Sequence, residues 1–181
     1  MYSIHKHLTF NAWANNQLAN VLRELDDEIF FRENKSSFPS IAITILHVWG
    51  AQSIWLKRME GVSLSAFPHI ALRDKIVSLD GLVQSSDDIQ KFIESKDEAF
   101  LTSTYAYKNL KGDPFEDSYE DTLFHVVNHS TYHRGQIITM LREAGVANVV
   151  STDLIHYLRT LKKHQQRFAL ADQKMTKRIT H

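Results

Sequence analysis

The amino-acid sequence predicts an all-α protein: a four-helix bundle with an additional short C-terminal helix. Three observations carry that expectation. Three prolines and six glycines in 181 residues leave long stretches free of helix breakers. Apolar residues recur at spacings of three and four, the period of a helix with one buried face. Serine or threonine stands before most of these stretches, where a helix needs an acceptor for its first free amides.

Taken in order, the first helix is expected over residues 3–25, with Leu8, Trp13 or Ala14, Leu18, Val21 or Leu22, and Leu25 facing inward. The stretch "DDEIFFRENKSSFPS" (26–40) reads as a connection, and Ser40 after Pro39 starts the second helix. That helix passes through Ile45, His47, Trp55 and Met59 and stops at Gly61. Residues 62–84 read as irregular, punctuated by Pro68 and Gly81. Ser85 or Ser86 then caps a third helix with the face Ile89, Phe92, Ile93, Ala99 and Phe100. "TYAYKNLKGDP" (104–114) reads as a short extended piece and a turn. Ser118 with Asp121 forms a capping pair for the fourth helix, which ends at Gly145. Thr152 and Asp153 open the shorter fifth helix, "DLIHYLRTLKKHQ". Residues 1–166 are expected to form a single helical domain, followed by a basic tail over 167–181.

Composition excludes several classes. With no cysteine, disulfides, zinc knuckles and cysteine nucleophiles are impossible, so any metal must be held by nitrogen and oxygen ligands. Lys+Arg and Asp+Glu both total 21, a balance that argues against nucleic-acid binding. The apolar runs fall far short of the ~20 residues that cross a bilayer. "MYSIHKHLTFNAW" has neither a compact apolar core nor a small-residue cleavage site, so no signal peptide is expected and the cytoplasm is the default address.

"HVVNHSTYHRG" (125–135) spaces His125, His129 and His133 four residues apart. At about 100° per residue, with His125 at zero, His129 sits near 40° and His133 near 80°. The apolar set Leu123, Val126, Val127, Ile137, Ile138 and Leu141 is centred near 150° on the same wheel. His129 and His133 therefore border the buried face, and His125 points away from it. Side chains four apart on a helix can lean together until both imidazoles reach one ion, although a polar helix edge would show the same spacing. His47, flanked by Ile43, Ala51 and Ile54, faces the bundle from the second helix. It is either a core histidine bonded to a carbonyl or water, or a third ligand. His69, His156 and His164 lie outside this arrangement, and His5 and His7 read as exposed.

With those residues in hand, the chain resembles the DinB/YfiT-like family of metal-dependent proteins. The likeness rests on "FNAWAN" (10–15), "LHVWGAQSIWL" (46–56), "LFHVVNHSTYHRGQI" (123–137) and "TDLIHYL" (152–158), which occur in the family's order. The "NHxxxHRGQ" element is the most specific of these. The resemblance implies a bundle of that family's type and a metal triad of His47, His129 and His133, with zinc or nickel as the usual ion. It also implies a homodimer.

Three neutral imidazoles would leave a divalent ion its full charge and an open position. Two reaction types follow: hydrolysis by metal-bound hydroxide, or presentation of a small thiol as thiolate to an electrophile. The resemblance favours a thiol-dependent S-transferase acting on a small-molecule substrate, with a low-molecular-weight thiol as cofactor. A metal-dependent hydrolase and a non-catalytic metal-binding stress protein remain as alternatives. No carboxylate stands on the histidine face, and no catalytic residue is assigned. Tyr132 and Gln136 are the nearest polar neighbours on the fourth helix. Asn11 and Asn15, four apart on the first helix, are either ordinary surface or a support for the ligands. Arg134 points away from the site. Free-histidine pKa values near 6.5 predict that any stabilisation by metal fades below that pH and is gone by about pH 5.

Overall fold

The computed structural model describes residues 3–67, 74–163, 165 and 166 of the chain. It divides into two compact units, Met1–Val150 and Ser151–His181. The first is built on four long helices: α1 (Ile4–Arg23), α3 (Ile41–Met59), α4 (Lys75–Glu94) and α6 (Tyr119–Glu143). Short α2 (Asp27–Phe31), short α5 (Glu98–Thr102) and a hairpin of β1 (Thr104–Lys108) and β2 (Pro114–Ser118) connect them. In the second unit residues 154–163 are helical, and the Asp153 carbonyl accepts from the Tyr157 amide at 3.1 Å. The expected basic tail from residue 167, together with Pro68, His69 and His164, lies outside the described residues.

Each long helix begins where a side chain satisfies its free amides. Ser3 Oγ accepts from Lys6 N, Ser40 Oγ from Ile43 N, Asp74 Oδ1 from Val77 N and Ser118 Oγ from Asp121 N. Ser118 Oγ also donates to Asp121 Oδ2 at 2.6 Å, which makes the pair reciprocal. Helices α3 and α6 give way to Gly61 and Gly145, both at positive φ (83° and 82°), where a side chain would strain the turn.

Helices α1 and α3 each pack chiefly against α4 and α6, so they stand diagonally across the bundle. Leu18, Leu22, Phe30, Ile41, Ile45, Leu79, Leu82, Ile137 and Leu141 meet in its core and are all but inaccessible. Burying each such side chain contributes about 1.5–3 kcal/mol. On α1 the inward residues are Ala14 and Leu22, not Trp13 or Val21.

The structure corrects several expectations. Residues 75–84 are helical, so Ser85 and Ser86 do not start a helix but lie buried within α4; Ser85 Oγ donates back to Leu82 O, and the one Ser86 hydroxyl proton is shared between Leu82 O and Gln52 Oε1. Gly81 misled the reading because a mid-helix glycine costs about 1 kcal/mol relative to alanine. Here it serves packing: a Cβ at 81 would lie 2.3 Å from Trp49 Cε2. Ala99 and Phe100 belong to α5, which Asp97 caps separately. The connection over 26–40 contains α2. The extended piece at 104 has a partner strand, pairing Thr104 with Ser118 and Lys108 with Pro114 across a turn in which Gly112 takes φ 89°. His5 and His7 are half-buried rather than exposed.

Candidate metal centre

The starts and ends of α3 and α6 decide which histidines meet. Tyr119 Oη, at the beginning of α6, donates to the Met59 carbonyl at the end of α3 (3.4 Å). The two helices therefore run antiparallel, and His133 comes level with His47. His47 and His129 are half-buried, and His133 is buried.

Their Nε2 atoms converge. His129 Nε2 lies 3.0 Å from His47 Nε2 and 3.1 Å from His133 Nε2. Among the described residues, these three form the one group of histidines and carboxylates whose ligand atoms all fall within 4.8 Å of one another. An ion about 2.05 Å from each nitrogen would set nitrogens roughly 2.9 Å apart at right angles and roughly 3.3 Å apart at tetrahedral angles. The two measured separations lie between those limits. The donor set also fits: neutral imidazole suits zinc, nickel, copper and iron.

Hydrogen bonding orients one ligand. Gln136 Nε2 donates to Ser37 Oγ (3.2 Å) and to Tyr132 Oη (3.1 Å), which turns its Oε1 towards His133. His133 Nδ1 donates to that oxygen at 2.7 Å, so in the neutral ring Nε2 keeps its lone pair for the cluster. Burial holds all three imidazoles uncharged. It lowers the His47 pKa to about 4, with the neighbouring His133 adding to the effect. It lowers His129 to about 3, reinforced by His133, His47 and His125. His133 is lowered too, against an upward pull from its bond to Gln136.

Two aromatic rings flank the cluster, from half-buried Phe38 and exposed Phe67. Phe38 stacks on His47 with centroids 4.2 Å apart and meets His133 edge-on at 5.3 Å. Phe67 lies parallel to His47 at 5.8 Å. Its ring rests where Gly50 has no side chain, for a Cβ there would lie 2.1 Å from Phe67 Cε1. Sequence reasoning missed both phenylalanines, because they sit in connections where no periodicity marks which side chains meet a helix face. The Gly50 position, inside a helix otherwise rich in large apolar residues, was the one available sign.

The other singled-out residues fall into two places. His125 is exposed, one turn from the cluster, with its ring 5.2 Å from Trp55 and 5.8 Å from His129. Tyr132 is 60% exposed and its ring lies 5.0 Å from that of His133. Asn11 and Asn15 are neither surface nor bonded to an imidazole. Both are buried, and both accept from Arg134 Nη1 at 2.7 Å.

Four packed helices with three imidazoles meeting between two of them define a helical-bundle protein with a candidate divalent-metal centre. The DinB family profile matches residues 1–177. Protein DinB of Bacillus subtilis (strain 168) is 34% identical over 157 residues, which span 82% of this chain and 90% of that protein. The chain belongs to the DinB family. A crystal structure of a DinB-like protein from Bacillus cereus ATCC 10987 shares the fold, with TM-score 0.59 at 19% identity, over 78% of this chain and 92% of that one.

Proposed function

We propose that His47, His129 and His133 hold one divalent ion, zinc or nickel, and that the protein is a metal-dependent enzyme transferring a low-molecular-weight thiol to a small electrophile. The observation that carries this reading is the convergence of three Nε2 atoms, with neighbours 3.0 and 3.1 Å apart, from imidazoles that burial keeps neutral. When bound, such an ion would supply the positive charge that lets a thiol ionise near neutral pH. The remaining work falls to the chain. Gln136 holds the His133 tautomer, and the Phe38 and Phe67 rings pack against His47 and fix its plane. In the transfer, the thiol sulfur forms the new bond to carbon, and the leaving group departs with the thiol proton.

A hydrolase is the weaker reading, because among the described residues no carboxylate joins the group of three imidazoles as a nearby base for water. Two measurements test the proposal. Elemental analysis should find one ion per chain in the parent and none in the His47→Ala, His129→Ala, His133→Ala triple variant; equal metal content would sink the assignment. The metal-loaded protein should then consume a chlorinated arene only when a thiol is supplied. Thiol-independent turnover of an ester would instead favour the hydrolase.

A further inference from the structure

Arg134 directly follows the ligand His133, yet its side chain lies inside the bundle, 2% exposed. Burial lowers its pKa, but the guanidinium stays charged at neutral pH. No acidic side chain pairs with it among the described residues. Its contacts are polar but neutral: Nη1 donates to Asn11 Oδ1 and Asn15 Oδ1, and Nη2 donates to Thr131 Oγ1, each at 2.7 Å. The ring of Phe10 lies 5.5 Å from its Cζ.

The asparagines pass the connection across the bundle. Asn11 Nδ2 donates to Gln52 Oε1 at 3.1 Å, and Asn15 Nδ2 donates to Ser86 Oγ at 2.9 Å. Gln52 in turn accepts from Ser86 Oγ (3.0 Å) and donates to Ser85 Oγ (2.9 Å). One buried network thus joins α6, α1, α3 and α4. It includes a residue from each ligand-bearing helix: Arg134, next in sequence to His133 on α6, and Gln52, on α3 with His47.

A buried cation without a counter-ion is an expensive way to gain stability, and apolar residues of similar volume often do as well or better. What such a group does supply is register, because its partners meet in one alignment only. The metal centre needs register. A slip of one residue along α6 moves its side chains about 1.5 Å and turns them about 100°, whereas ligand distances tolerate only about 0.2 Å.

We propose that Arg134 is a positioning residue: through Asn11 and Gln52 it locks α6 against α3, so that His129 and His133 meet His47 at metal-binding distance. This rests on the metal-site reading above, and the test separates the two. Co²⁺ is the probe, since its visible absorption reports coordination geometry. Parent protein should bind Co²⁺ and His47→Ala should not; a parent that binds none would end the metal reading itself. Arg134→Met keeps the bulk of the side chain and removes its bonds. It should weaken Co²⁺ binding by roughly 10–100-fold and alter the spectrum, while Arg134→Lys should recover part of both. Leu79→Ala, which only hollows the core, should lower the melting temperature and leave Co²⁺ affinity and spectrum at parental values. If Arg134→Met fails to fold, the triple variant with Asn11→Leu and Asn15→Leu removes the orphaned acceptors and carries the same expectation. Parental affinity and spectrum in a folded Arg134→Met, or in that triple variant, would overturn the proposal.

Discussion

The same substitution, glycine to alanine, should change stability in opposite directions at two helical positions. Gly135 in α6 is exposed, and a Cβ there would meet nothing within 4 Å. Alanine should therefore gain the full helix preference, about 1 kcal/mol. Gly81 in α4 offers the same gain, but its Cβ would fall 2.3 Å from Trp49 Cε2 and Cζ2 and 2.5 Å from Cδ2. Those atoms belong to a rigid indole packed against the core cluster, so relief requires moving the whole ring by more than about 1 Å. Overpacking of that kind costs about 1–3 kcal/mol. The cost exceeds the gain, and Gly81→Ala should destabilise by about 1 kcal/mol while Gly135→Ala stabilises by a similar amount. For a domain of this size each corresponds to roughly 2–4 °C in melting temperature. Urea unfolding followed by circular dichroism measures both, with an unchanged m-value showing that the unfolded state is not the cause. If Gly81→Ala proved as stabilising as Gly135→Ala, the Trp49 ring would not be seated against α4.

Four further outcomes follow. Gln136→Leu removes the acceptor of His133 Nδ1 and should weaken zinc or nickel binding about 10–100-fold, as read by calorimetry, with the helical spectrum unchanged; unaltered affinity would remove Gln136 from the site. Between about 6.5 for the unfolded chain and about 4 and 3 for folded His47 and His129, the unfolded chain binds protons that the bundle refuses, so metal-free stability should fall as pH drops through that window. Metal needs the neutral rings, and burial lowers all three pKa values, so the melting-temperature gain from zinc should persist to lower pH than the free-histidine expectation of a loss by about pH 5; a gain already lost by pH 5 would mean that these imidazoles titrate as free ones. A homodimer, expected from the family resemblance, should give about twice the 20.9 kDa chain mass by light scattering; a mass of one chain at micromolar concentration would refute it.

Local structure and contacts across the bundle differed in how far they could be read from the chain alone. Local chemistry was legible wherever cause and effect sit within a few residues. The caps at Ser40 and Ser118 and the stops at Gly61 and Gly145 each depend on one turn of backbone. The separation of His129 and His133 from His125 depends only on the angle between residues of one helix. Spacing and apolar neighbours made the pair and His47 candidates without deciding between ligands and ordinary histidines, and the family resemblance named them as a triad. Tertiary structure decided everything that depends on a contact across the bundle. It made Gly81 a seat for Trp49 instead of a break, and so extended α4 back to Lys75. It placed Phe38 and Phe67 against His47 from connections that carry no periodic signal. Most of all, it joined Arg134, which the wheel only turned away from the histidines, to Asn11 and Asn15, whose pattern fitted a surface as well as a support, in one buried network. A polar side chain is stable inside only if its partners arrive from other helices, and no single helix specifies where those partners will be.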